Sequence, residues 1–206
     1  MLSCYDAILL KRYVVTHSVI GIFIMKADII REIPLGVGVT ASLKGSTLTV
    51  KGPKGEVTRE FLHPQISIII ESGKVVLKSL LATKREKTQI GSFESHIVNM
   101  VSGVVDLNTY KLKICSGHFP MTVTTSGQEF VVKNFLGEAV PRKVNFAKGV
   151  DVKIAGTEVV VTSPDRELAG QTAARIEQLC RITNRDRRIF QDGIYITAKA
   201  GKKSVS

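Results

Sequence analysis

A repeat constrains the fold of these 206 residues more than any other feature. The frame Gly45, Lys51, Gly55-Glu56 recurs as Gly127, Lys133, Gly137-Glu138, each residue 82 positions on. Val75–Ser79 then meets Val159–Ser163 at an offset of 84, and each stretch leads into an amphipathic pattern. Only two copies fit, so the pattern reads as one duplicated sheet-plus-helix unit rather than a solenoid. The match predicts Gly55 and Gly137 at equivalent turns, with the two helices covering equivalent sheet faces.

Each copy carries strand periodicity followed by one helical stripe. Leu43 to Lys51 alternates as a half-buried strand, with Leu48 and Val50 inward. Gly52-Pro53-Lys54-Gly55 reads as a turn, and Glu56 to Phe61 as the returning strand with Val57 and Phe61 on the core side. Ile66–Glu71 and Lys74–Leu80 form a second hairpin across Ser72-Gly73. Thr83 with Glu86 three residues on is a capping-box signature. Ile90, Phe93, Ile97, Met100 and Val101 then share one helical face, and Gly103 reads as the helix end.

In the second half, strands are expected over Tyr110–Cys115, Met121–Thr125, Glu129–Asn134, Arg142–Phe146, Asp151–Ala155 and Glu158–Thr162, with Lys111 and Lys113 outward. Ser163-Pro164 reads as an N-cap and a first-turn proline. Leu168, Thr172, Ile176, Leu179 and Cys180 mark the helix's apolar face, Asn184 its stop, and Gly193–Ile196 a last strand. The class is α+β: two tandem similar modules, each a mainly antiparallel sheet covered by one amphipathic helix. The expected division is 1–24 as an unpacked N-terminal extension, 25–107 and 108–198 as the modules, and 199–206 as a basic tail.

In the extension, the apolar run Tyr13 to Met25 is interrupted by His17 and Ser18 and is shorter than the roughly 20 residues that span a bilayer. Lys11 and Arg12 precede it, but no small-residue cleavage signal follows. An extension ahead of a second start at Met25 is the more economical reading.

Enzyme and cofactor chemistry find no support. Cys4, Cys115 and Cys180 lie far apart, so neither a disulfide framework nor a thiolate metal site is suggested. His17, His63, His96 and His118 lack the i, i+4 spacing of a metal-binding helix, and His96 reads as structural. Gly201-Lys202-Lys203-Ser204 mimics the end of a phosphate loop, yet Ile196 stands where its first glycine is needed. No nucleophile elbow or carboxylate pair stands out. The expectation is no enzyme, no cofactor, no metal and no small-molecule substrate.

The charge points elsewhere. A net +11 and a pI near 9.7 imply an anionic partner, nucleic acid first and a membrane surface second. Arg181, Arg185, Arg187 and Arg188 fall within eight residues, with Asp186 the one carboxylate among them. A helix-end reading accounts for Arg181 and Arg185 but not for Arg187 and Arg188 beyond Asn184. Candidate RNA contacts are these four arginines, Lys51 and Lys54 on the first loop, and Lys133, Asn134, Arg142 and Lys143 around the second. His118 in Gly117-His118-Phe119-Pro120 and the tail lysines Lys199, Lys202 and Lys203 complete the set. His118 fits either base stacking or a local hydrogen bond, and Phe119 and Phe135 either stacking or core.

Four motifs occur in a family's order: Lys51-Gly52-Pro53-Lys54-Gly55, His118-Phe119-Pro120, Asn134-Phe135-Leu136-Gly137-Glu138 and Asp192-Gly193-Ile194-Tyr195. Over Met25 to Gly201 the chain resembles the universal large-subunit ribosomal protein family six, type nine in older eukaryotic naming, in its archaeal and eukaryotic branch. The resemblance implies two similar α+β domains bound to large-subunit rRNA at the base of the factor-binding region, near the sarcin-ricin loop. It also implies a cytoplasmic ribosomal location, neighbouring ribosomal proteins as partners, and main RNA contacts in the C-terminal domain. Arg185, Arg187 and Arg188 resemble the family's basic stretch before its final strand, and Lys133 with the Asn134 loop resembles its central motif. A free RNA-binding or assembly factor is the alternative, and a peripheral membrane protein a more distant one.

Overall fold

The computed structural model describes residues 27–71, 73–117 and 119–201. The expected extension over residues 1–24 lies outside them, as do His118, Lys202 and Lys203. Thirteen strands and two α-helices follow in chain order among the described residues. The first half holds β1 (Ala27–Pro34), β2 (Thr40–Lys44), β3 (Thr47–Gly52), β4 (Gly55–Glu60), β5 (Ser67–Glu71), β6 (Lys74–Ala82) and α1 (Lys84–Val105). The second holds β7 (Asn108–Cys115), β8 (Thr122–Ser126), β9 (Glu129–Lys133), β10 (Arg142–Asn145), β11 (Asp151–Ala155), β12 (Glu158–Ser163), α2 (Arg166–Leu179) and β13 (Gly193–Ala198).

The strands form four antiparallel sheets, ordered β1-β6-β5 and β2-β3-β4, then β11-β12-β7-β13 and β8-β9-β10. Helix α1 packs on β1, β3, β4 and β6, and α2 on β7, β10, β12 and β13. Each half therefore closes its own core, and the class is α+β with two tandem modules. Leu48, Val50, Leu77, Ile90 and Ile97 fill the first core; Leu112, Phe130, Phe135, Val161 and Ile176 fill the second. Burying each such side chain contributes about 1.5–3 kcal/mol before ordering costs.

The repeat survives in three dimensions, with a correction. Moving β2 by 82 residues lands on β8, and moving β5 by 84 lands on β11. Gly45 and Gly127, 82 apart, both turn with φ near +60°. Gly55 and Gly137, however, are not at equivalent turns. Two residues join β3 to β4 but eight, 134–141, join β9 to β10, so Gly55 opens a strand while Gly137 lies within a loop. Val50 faces Val57 whereas Val132 faces Arg142, which raises the offset to 85 on the returning strand. The copies then meet again: Phe61 N–H donates to Ser46 O at 2.8 Å, and Phe146 N–H to Gln128 O at 3.0 Å.

Other boundaries also differ from expectation. Leu43 to Lys51 is not one strand, because Gly45-Ser46 turns β2 into β3. Helix α1 starts as read, with the Thr83 and Glu86 capping box formed, but runs through Gly103 to Val105. Gly103 is an approach point instead, since a Cβ there would collide with the Pro164 carbonyl. Ser163 is the last residue of β12, paired with Asn108, so the N-cap of α2 is Asp165, which accepts from Glu167 N at 2.8 Å. The buried face of α2 is Ala169, Thr172, Ala173 and Ile176, with Leu168 only half-buried. The helix ends at Leu179, well before Asn184, whose left-handed φ of 58° belongs to a loop.

The modules touch around Pro164. Its carbonyl accepts from Asn108 Nδ2 at 3.0 Å, Arg166 Nη1 donates to Asn99 Oδ1 at 2.8 Å, and Arg59 pairs with Glu167. Strand β13 has no counterpart in the first half and extends the second sheet beyond β7. Past it, Ala200 is buried, and its carbonyl accepts from Arg166 Nη2 at 3.1 Å.

Candidate nucleic-acid interface

Three loops meet at one end of the second module. The first, residues 116–121, follows β7; the second, 134–141, joins β9 to β10; the third, 180–192, joins α2 to β13. The buried Asp192 ties the first to the third, since its carboxylate accepts from the backbone of Gly117 and, at 3.4 Å, of Phe119. Asn134 ties the second to the first, donating from Nδ2 to Pro120 O at 3.1 Å. Phe119 also lies against Gly137, where a Cβ would sit 3.4 Å from its ring.

Arg142 joins the second loop to the third. Its Nε and Nη2 donate to the two Glu138 oxygens at 2.8 and 2.6 Å, while Nη1 donates to Leu179 O at 2.7 Å and Arg181 O at 3.2 Å. The guanidinium lies 4.4 Å from the Phe135 ring centre. A cation is thus placed on the open carbonyls that end α2, where the helix dipole favours one. The hydrogen bonds from Arg142 hold the Glu138 carboxyl below the ordinary carboxylate range, and those to Glu138 raise the Arg142 value.

The arginine segment is folded rather than slack. Ile189 N and Phe190 N both donate to Asp186 O, at 3.2 and 3.0 Å, and Arg188 N donates to Asp186 Oδ1 at 2.9 Å. Arg188 also forks its guanidinium onto the same carboxylate, which its hydrogen bonds hold below the usual range. Arg185 lies 5.1 Å from the Phe190 ring centre. The guanidinium groups of Arg181 and Arg187 make no hydrogen bond or ion pair among the described residues. Preordering matters because a loop held in place loses less freedom when its arginines meet a phosphate.

The other sequence candidates fall in two places. Lys133 and Asn134 stand exposed at the start of the second loop, while Lys143 pairs with Glu129 at 3.3 Å and Lys199 is exposed after β13. Lys51 on β3 and Lys54 on the β3–β4 turn belong elsewhere, at the junction of the modules. Lys51 pairs with Glu56 at 3.1 Å, and Lys54 N donates to Val104 O at 3.0 Å. Gly52 allows that approach, since a Cβ there would lie 2.8 Å from Val104. Phe135 is core, and Phe119 is partly exposed.

Tyr195, Lys111, Lys113 and Lys153 lie outside the sequence candidates. All four are exposed on the same sheet, and its alternation of lysine with apolar residues was the available signal. No helix among the described residues is long and apolar enough to cross a membrane, and no group of metal-binding side chains gathers among them.

Comparison with known proteins decides what this scaffold is. A sequence model described as ribosomal protein L6 matches residues 35–106 and again residues 119–193, one match in each module. The chain belongs to the ribosomal protein L6 family. The large ribosomal subunit protein uL6 of Methanocella arvoryzae is 46% identical over 177 residues, covering 85% of this chain and all of that relative. The ribosomal protein L6 family is a structural, non-catalytic one, in line with the missing enzyme motifs.

Proposed function

We propose that the chain is a structural constituent of the large ribosomal subunit in the cytoplasm, bound to rRNA beside the factor-binding region through the loop end of its second module. The observation that carries this reading is the preformed arginine segment, in which Arg181 and Arg187 face solvent with donors to spare while Asp186 shapes the loop around them. Arg185 and Arg188 flank them, and Lys133, Asn134, Lys143 and Lys199 widen the positive surface. Arg142 acts from behind, holding the second and third loops together. Lys51 and Lys54 make a smaller contact at the junction of modules 25–107 and 108–198. Guanidinium groups on a loop suit phosphate oxygens, which position a protein without reading sequence. Neighbouring ribosomal proteins cover parts of the remaining surface.

Purified large subunits washed at high salt provide the test. A constituent stays near one copy per subunit. Loss from mature subunits with retention on precursor particles would instead favour an assembly factor.

A further inference from the structure

The β11-β12-β7-β13 sheet has two unlike faces. Helix α2 and the β8-β9-β10 sheet cover the side bearing Leu112, Val161 and Ile194, which are buried. The opposite side carries Lys111 and Lys113 on β7, Tyr195 on β13 and Lys153 on β11, all exposed. Glu158 on β12 and Asp151 on β11 share that side; Glu158 is directly opposite Lys113 on the strand away from β13, and the two form no ion pair. At the edge itself Tyr195 is directly opposite Lys113 in the register, and a cleft opens there between Lys113, Ser116, Ile189, Gln191 and Tyr195.

The tyrosine is held ready. Its hydroxyl donates to Gln191 O at 3.2 Å, and its ring lies over Gly193, where a Cβ would be 3.0 Å from Cζ. The residue nonetheless keeps 43% of its surface exposed. Arg187 is near enough for its charge to act on the Tyr195 phenol, against the burial that raises the phenol's pKa. Lys113 forms no ion pair among the described residues. Ile189 and Gln191 bring the arginine loop into the wall of the cleft; of the charged side chains that line it, Lys113 is exposed and Asp192 is buried on the Gly117 and Phe119 backbone.

We infer that this cleft seats one unpaired RNA base, with Tyr195 as the stacking platform and Lys113 contacting the adjoining phosphate. The inference rests on the rRNA-binding reading above and adds to it a second kind of contact. A π-face backed by lysine suits any base, because stacking is tolerant of sequence. A rigid aromatic also loses little side-chain freedom on binding.

Tyrosine fluorescence of the full chain, which contains no tryptophan, reads the seat directly during titration with single-stranded octa-adenylate. Binding should quench the signal. Tyr195→Phe should bind with similar affinity but without that quenching, and Tyr195→Leu should bind about tenfold more weakly. For large-subunit rRNA, measured in parallel, Tyr195→Phe should match the unaltered chain, and Tyr195→Leu should lose no more than about that tenfold, because the arginine loop still binds. Octa-adenylate binding that leaves Tyr195 fluorescence unchanged, or that Tyr195→Leu does not weaken, overturns the seat while leaving the rRNA reading intact. A cross-link from Lys113 to a protein rather than to rRNA in whole subunits would overturn it too. Failure of the unaltered chain to bind rRNA would remove both.

Discussion

Replacing Arg142 with alanine should destabilise the second module by about 2–4 kcal/mol. Two sources make up most of this: charge-assisted hydrogen bonds to the α2 end, at about 1.5–3 kcal/mol, and the contact with Phe135, at about 0.5–1 kcal/mol. The Glu138 pair adds little, because Glu138 is 41% exposed and such pairs contribute at most about 1 kcal/mol. Arg142→Lys should recover only part of the loss, since an ammonium cannot fork onto Glu138 and reach Leu179 O together. Urea unfolding followed by circular dichroism measures both variants. The pH dependence has a definite sign. Arg142 depresses the folded Glu138 pKa, so the pair's contribution is complete above the ordinary glutamate value of 4.5 and is lost as pH falls through the lower folded value. The gap between wild type and Arg142→Ala should therefore narrow slightly toward pH 3. An Arg142→Ala variant within about 0.5 kcal/mol of wild type would refute the joining role.

Two alanine substitutions in α1 should have opposite signs. Gly103→Ala, which drives a methyl into Pro164, should cost about 1–3 kcal/mol or more, whereas Gly91→Ala, with open space around it, should stabilise by about 0.5–1 kcal/mol; thermal unfolding reads both. Thr83→Ala should cost about 1 kcal/mol in the same assay by removing the α1 cap. Thiol alkylation at pH 8 followed by peptide mass spectrometry should label Cys115 well before Cys180, because burial pushes the Cys180 thiol up to about 11.

The duplication was legible because backbone rules enforce it locally. Gly45 and Gly127 must both supply positive φ, and Thr83 with Glu86 announces a helix start through its own hydrogen bonds. Features set by distant contact were not legible. Gly103 looks like a helix end in isolation and is an approach point only because Pro164 arrives from the other module. Arg142 reads as one more basic residue, yet its partners Leu179 and Arg181 lie far along the chain. Strand β1 is not legible because both its ends and most of its face are exposed, so alternation is weak. The arginine run itself was plain, but only the fold separates Arg187, with an uncommitted guanidinium, from Arg188, forked onto Asp186.

The salt dependence of binding to isolated large-subunit rRNA tests the central claim most directly. The full chain and an Arg181→Ala, Arg185→Ala, Arg187→Ala variant are titrated at several salt concentrations, with circular dichroism confirming the fold; Arg188 is left in place because its guanidinium is engaged on Asp186. Each phosphate contact contributes about 0.7–0.9 to the slope of log affinity against log salt, so the variant's slope should be shallower by about 2–3. An unchanged slope in a folded variant would contradict the account, because the arginine loop would then be a solvated surface and not the seat of rRNA binding.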